Sequence, residues 1–276
     1  MDEPECQSFE APAMNTTFAL RVRGADAKLA ERAAAACFRR IESIEEQLSR
    51  YLPGSDIARI NALPRGGSLL VTETTHRCLL RALEAASRTA GLFDVTLGAR
   101  TWEGAEDRTV AGCLEIEPQR PRVHCREAGR QLDLGGIGKG FALGECLPVL
   151  QDHGVAEALL SAGASTHLAQ GPSPWRIRNG PGRGEALDLA GGAWSVSGES
   201  IQGAHVIHPD ATGRADYAFR RVGVMHPDPA LADAFSTAAL LMSPSELEDF
   251  VSSLEPGCRV FAWPRKGDGF VTLASP

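Results

Sequence analysis

Apolar residues at every second position over Thr16–Arg23 (Phe18, Leu20, Val22) mark a strand with one buried face. The period then lengthens. Over residues 26–51, Cys37, Ile41, Ile44, Leu48 and Tyr51 recur at steps of three and four, which predicts a long helix with one apolar stripe. Pro53-Gly54 ends it, and Ser55 is placed to N-cap a short helix carrying Ile57 and Ile60. A short strand is expected over 68–72, and a second amphipathic helix over 74–89, closed by Gly91. Residues 1–13 are expected to form a flexible segment.

From 93 to 130 the text changes, with short strand-like pieces at 113–116 and 122–124 among Gly, Pro and charges. A strand over 131–134, a glycine turn and a helix over about 140–153 follow. Further strands are expected at 158–161, 175–178, 193–197, 205–207, 222–225, 259–263 and 269–273. Residues 180–184 read as a loop, and 231–242 and 245–252 as helices. No period of 20–50 residues repeats, which excludes a solenoid. Helices and strands do not alternate strictly, so the expected class is α+β with largely antiparallel sheets and packed helices. A length of 276 residues fits one large domain or two intimately packed lobes.

Composition narrows the function. A net charge of −7 argues against a nucleic-acid binder, which needs a basic surface. Seven cysteines include no C-x-x-C pair, so reduced thiols are expected rather than a zinc site or a disulfide framework. The start, MDEPECQSFEAPAM, lacks an apolar h-region, a twin-arginine pair or a lipobox before Cys6. No apolar run approaches the ~20 residues of a membrane helix. These features predict a cytoplasmic protein with no membrane span. Neither G-x-S-x-G nor H-E-x-x-H occurs, so serine-hydrolase and zinc-hydrolase motifs are missing.

Three segments carry candidate chemistry. Residues 133–140 (DLGGIGKG) place Gly135, Gly136, Gly138 and Lys139 between a strand and a helix that starts near Gly140. Converging backbone N–H groups there would make an anion cradle, with Lys139 adding a point charge for a phosphate. Both the Walker A and the Rossmann spacings fail, and a plain strand–helix connection is the alternative. In residues 231–240 (LADAFSTAAL), Asp233 and Thr237 share a helix face, with Ser236 beside them. Such hard oxygens suit Mg²⁺. The alternative puts Asp233 in the helix's first turn, favoured by the dipole, and bonds Thr237 back to a carbonyl. His205, in GAHVIHPDATG, is either a general base or a hydrogen-bonded structural residue.

In order, these segments resemble the FAD:protein FMN transferase (ApbE-type) family over nearly the whole chain. The family's Met-Gly-Thr start is matched by Met14-Asn15-Thr16. Its Tyr followed by Ser-x-Ile and Asn is matched by Tyr51, Ser55, Ile57 and Asn61. Its Asp-x-Thr-x-Gly turn falls at Asp94, Thr96 and Gly98, its glycine signature at LDLGGIGKGFA and its metal helix at LADAFSTA. The resemblance implies a T-fold-like α+β architecture. It implies Mg²⁺ held by the carbonyl of Gly138 and by Asp233 and Thr237, with Ser236. It implies FAD lying against Met14, Tyr51, Leu92, Phe93, Asp94, Gly135, Gly136 and Phe141, with Lys139, Ser165, Ser197 and His205 as further contacts.

The implied reaction splits FAD, attaches FMN to a Thr or Ser of a target flavoprotein and releases AMP, with His205 or Asp233 as the base. An FAD pyrophosphatase and a non-catalytic FAD-binding protein are the alternatives. The chain departs from the family at Gly163-Ala164-Ser165, where Gly-Gly-Asp is usual. It departs again at His208-Pro209-Asp210-Ala211-Thr212-Gly213, where Asp-Pro-x-Thr-Gly is usual. The stretch between Gly98 and Gln131 is short and holds Trp102 in place of a Trp-Gly-Phe piece.

Overall fold

The computed structural model describes residues 6–98, 114–127, 131–178, 186–198, 217–266 and 269–275. In chain order the strands are β1 Cys6–Ala13, β2 Thr16–Arg23, β3 Ser68–Leu70, β4 Leu114–Ile116, β5 Arg122–Cys125, β6 Glu157–Ala162 and β7 Thr166–Gln170, then β8 Trp175–Arg178, β9 Ala186–Leu189, β10 Gly192–Gly198, β11 Phe219–His226, β12 Arg259–Pro264 and β13 Val271–Ala274. The helices are α1 Ala27–Leu48, α2 Asp56–Asn61, α3 Glu73–Arg88, α4 Gly138–Asp152, α5 Pro229–Ala239 and α6 Pro244–Ser252. One eight-stranded sheet runs β1-β2-β6-β7-β10-β11-β12-β13, with antiparallel neighbours throughout. A small sheet, β3-β5-β4, and the pair β8-β9 complete the described strands. The class is α+β, as the pattern predicts.

Helix α1 forms for local reasons. Asp26 accepts the Leu29 N–H at 3.0 Å as its N-cap, and Ala30, Ala33, Ala34, Cys37, Ile41, Ile44 and Leu48 form its buried stripe. Each of Ile41, Ile44 and Leu48 contributes roughly 1.5–3 kcal/mol through burial. Helices α1, α4 and α5 pack on one face of the large sheet and make the main core. The other face has its own smaller core. There Leu159, Ala169, Trp194, Val196 and Phe261 of the sheet meet Trp175, Ile177 and Leu189 of β8-β9. Gly223 admits that arrangement, because a Cβ on it would overlap the Trp194 indole.

Four expectations change. Residues 6–13 are not a flexible segment but the edge strand β1, paired along its length with β2. Its positions alternate between exposed and half-buried, and Glu10 and Pro12 suit an edge, so no apolar stripe announces it. Residues 131–134 are not a strand; Gln131 makes a single bridge to Leu97. The alternation there is real, with Leu132 and Leu134 buried, but a side chain replaces the neighbouring strand. Asn61 accepts the Leu132 N–H at 2.7 Å and donates to the Leu132 carbonyl at 3.2 Å. Strands β7 and β9 were not expected; β7 is buried on both faces, which erases the period-two signal. The expected strand 205–207 and loop 180–184 lie outside the described residues. No helix among the described residues is long and apolar enough to cross a membrane.

Candidate active site

The glycine turn is built from its own hydrogen bonds. Gly135 donates its N–H to Asp133 Oδ1 at 2.8 Å, and Ile137 and Gly138 donate to the Leu134 carbonyl at 3.0 and 2.7 Å. Gly140 donates to Asp233 Oδ2 at 3.1 Å. These N–H groups are committed inside the protein, so the turn is not an anion cradle made of them. Its glycines serve close approach instead. A Cβ on Gly140 would overlap the Pro229 carbonyl and come within 2.9 Å of Asp233 Cβ. A Cβ on Gly136 would sit 3.1 Å from the Phe93 ring and 3.3 Å from Thr237 Oγ1. The turn is glycine-rich because α4 starts against α5.

Asp233 is the centre of the arrangement. Asp228 caps α5 by accepting the N–H groups of Ala230 and Leu231, with Pro229 in the first turn. Asp233 therefore lies a turn further in and is not a helix-start carboxylate. It is 3% exposed. Its Oδ1 accepts from Ser195 Oγ at 3.1 Å and Thr166 Oγ1 at 3.3 Å, while Oδ2 accepts the Gly140 N–H. Lys139 Nζ stands 3.9 Å from Oδ2 and donates to the Gly135 carbonyl at 3.1 Å.

Hydroxyls surround this carboxylate. Ser197 Oγ lies 2.9 Å from Ser236 Oγ and 3.3 Å from Thr237 Oγ1. Ser236 and Thr237 both donate to the Asp233 carbonyl, so the back-bonding expected of Thr237 is present. Among the described residues the corner offers one carboxylate amid Thr and Ser oxygens, with no sulfur or imidazole, a hard donor set that fits Mg²⁺.

An open cavity of about 530 Å³ reaches this corner, lined by Met14, Tyr51, Asp133, Gly135, Gly138 and Lys139 among others. Met14 takes a positive φ of 48° in the turn between β1 and β2. Tyr51 is 66% exposed at the mouth. Arg50 joins three walls: it donates to Asp133 Oδ2 at 2.8 Å and to the Gly98 carbonyl at 3.2 Å, and its guanidinium lies 5.0 Å from the Tyr51 ring centre. Gly98 must be glycine at that junction, since a Cβ would lie 2.5 Å from the Gln131 carbonyl oxygen. Asp94 shapes the same loop by accepting the N–H and hydroxyl of Thr96.

The chain has solved and curated relatives. The ApbE family model matches residues 14–262. The chain belongs to the ApbE family. A Salmonella typhimurium protein named FAD:protein FMN transferase is 25% identical, across 99% of this chain and 88% of its own length. An Escherichia coli (strain K12) protein of the same name is 23% identical, across 99% and 88%. The apo form of the Pseudomonas stutzeri flavinyl transferase ApbE superposes with a TM-score of 0.82 at 24% identity, covering 99% of this chain and 95% of that one.

Within this ApbE fold the sequence-derived residues separate into groups. Gly136, Lys139, Ser197, Asp233, Ser236 and Thr237 gather at one corner, and Met14, Tyr51, Gly135, Gly138 and Lys139 line the cavity. Phe141 packs in the main core, where Phe93 is also buried; Leu92 packs against that core, and Asp94 holds its loop. None of these four is among the cavity's lining residues. Ser165 is buried 3.4 Å from Thr166 Oγ1. His205 lies outside the described residues. Sequence reasoning missed Thr166, Ser195 and Arg50. The serines of β10 at 195 and 197 carried a signal, since polar residues two apart in a buried strand share one face.

A second cluster competes for attention. His226, Glu255 and Cys258 bring ligand atoms within 4.8 Å of one another. Arg88 grips both Glu255 oxygens at 2.6 and 2.8 Å and holds its carboxyl down to about 2. His226 Nδ1 accepts the Asp228 N–H at 2.9 Å, which leaves Nε2 to donate to Glu255 at 3.2 Å. The His226 and Glu255 ligand atoms are thus engaged in structure, pinning α3 to the strand end that precedes α5.

Proposed function

We propose that this chain is a Mg²⁺-dependent transferase that cleaves FAD, joins FMN through a phosphoester to a Thr or Ser of a target flavoprotein and releases AMP. The observation that carries the reading is the buried Asp233 carboxylate, ringed by hydroxyls and set behind an open cavity that Lys139 and Gly138 line. The names of full-length relatives support it. Asp233 and Thr237, with Ser236 and the Gly138 carbonyl, would hold Mg²⁺. The ion would supply neutralisation of charge on the pyrophosphate oxygens.

The protein's own residues do the rest. Met14 and Tyr51 give the flavin an apolar and aromatic seat at the mouth, and Arg50 holds Tyr51 relative to the glycine turn. Lys139 pairs with a phosphate. The acceptor hydroxyl attacks the phosphorus on the FMN side, the bond to the AMP oxygen breaks, and the hydroxyl proton needs an acceptor. Asp233 already accepts three hydrogen bonds and, in this reading, would be occupied as a ligand. In this reading that leaves His205, the other candidate, as the base.

The test is mass spectrometry of a candidate flavoprotein after incubation with this protein, FAD and Mg²⁺. An added FMN mass on Thr or Ser is expected. Rapid release of AMP and FMN without an acceptor would replace this reading with a pyrophosphatase. FAD binding that survives Asp233→Ala, with no turnover under any condition, would make the chain a binding protein.

A further inference from the structure

We propose that Lys139 and the divalent cation compete for Asp233, and that the FAD pyrophosphate ends the competition by drawing the ammonium away. The inference rests on the metal reading above and extends it to the order of binding. Asp233 has three neutral donors, two on Oδ1 and one on Oδ2. Its remaining lone pair on Oδ2 faces the ammonium of Lys139, 3.9 Å away. A metal ion seeking the carboxylate approaches that same oxygen.

Two positive charges at one carboxylate in a site this dry repel each other strongly. Among the described residues Lys139 has one further partner, the uncharged Gly135 carbonyl at 3.1 Å, and a phosphate that takes the ammonium replaces that bond with a stronger ionic one. Its side chain lines the cavity where a nucleotide must lie. A flexible four-carbon stem lets the ammonium swing from carboxylate to phosphate without moving the backbone. Lys139 thus serves as the carboxylate's counter-ion first and as a phosphate ligand afterwards. Because binding couplings are reciprocal, FAD should tighten the metal and the metal should tighten FAD by the same factor.

The experiment is a Mn²⁺ titration followed by electron paramagnetic resonance, with and without FAD and with no acceptor protein. Wild-type protein should bind Mn²⁺ on the order of tenfold more tightly when FAD is present. Lys139→Met should bind Mn²⁺ alone about tenfold more tightly than wild type, and most of the gain from FAD should vanish. Lys139→Arg keeps the charge and should keep the weak binding. Lys139→Gln repeats the test if the methionine variant does not fold.

Unchanged or weaker Mn²⁺ binding in Lys139→Met and Lys139→Gln would overturn the competition. If Asp233→Ala abolishes binding in that same experiment, the metal site itself stands. Wild-type protein that binds no Mn²⁺ with or without FAD would overturn both.

Discussion

Strand β10 shows two regions of the molecule in one short text. Its residues Ala193, Ser195 and Ser197 face the helices, while Trp194 and Val196 face the opposite core. On the helix face the polar atoms are matched: Ser195, Ser197 and Thr166 each have a partner, and the chain of bonds ends on Asp233. The opposite face differs. There the indole nitrogens of Trp175 and Trp194 and Nε2 of His167 are buried without a hydrogen-bond partner among the described residues. Apolar area holds that face, and it tolerates unpaired nitrogens because large aromatic burial outweighs them. The helix face gives up apolar area for a network that orients one carboxylate.

The largest expected effect strikes the end of that network. Asp233→Ala should lower Mg²⁺-dependent FMN transfer by at least about a thousandfold, because the one buried carboxylate among the site's described residues is gone. The far-ultraviolet circular dichroism should stay that of the wild type. Retained activity would refute the assignment. Next come two glycines, one on each face. Gly140→Ala puts a methyl into the Pro229 carbonyl, and Gly223→Ala puts one into the Trp194 ring. Each should cost about 3 kcal/mol in urea unfolding, the upper range for overpacking. Only Gly140→Ala should also lower turnover per folded molecule, since it parts α4 from Asp233. Equal losses of turnover in both variants would erase the distinction between the faces.

Much of this was legible in the sequence, and the failures have physical causes. The stripe of α1 and the caps at Asp26 and Ser55 follow from local rules that tertiary packing did not override. Asp233, Ser236 and Thr237 were readable because an aspartate and hydroxyls among alanines lack a packing purpose. Thr166 was hidden, because β7 is buried on both sides and its polar residues look like loop text. Arg50 was hidden because the contacts described above lie 48 or more residues away or on the exposed ring next door. Phe141 is a different case. It follows the glycine signature directly, yet its helical position turns it into the main core.

The aromatic face should also reveal itself in acid. Burial pushes the His167 imidazole down to about 4, with Arg21 adding to the effect. An unfolded histidine titrates near 6.5, so below that pH the unfolded chain takes up a proton that the folded chain refuses. Stability is therefore lost from about pH 6.5 downward, and this loss levels off near pH 4. Between pH 7 and 4.5 the contribution is about 2 kcal/mol. Urea unfolding of wild type and His167→Gln at the two pH values measures it as the difference in their pH dependence. Parallel pH profiles would show that His167 is not buried as described.

The smallest effect tests whether satisfaction on the helix face matters in itself. Ser195→Ala removes one of the two hydroxyls on Asp233 Oδ1 and leaves Thr166, Gly140 and the rest of β10 in place. The stability loss should be about 1 kcal/mol, the net worth of one hydrogen bond. Partners of metal ligands commonly tune affinity by about ten- to a hundredfold when removed. Here a second hydroxyl remains on the same oxygen, so the loss of Mn²⁺ affinity should sit at the low end of that range. Val196→Ala, one residue along and facing the other core, should reverse the pattern. It should cost more stability than Ser195→Ala while leaving Mn²⁺ affinity within about twofold. If the valine variant weakened the metal as much as the serine variant, the two faces of β10 would not be independent. The network on Asp233 would then be only packing.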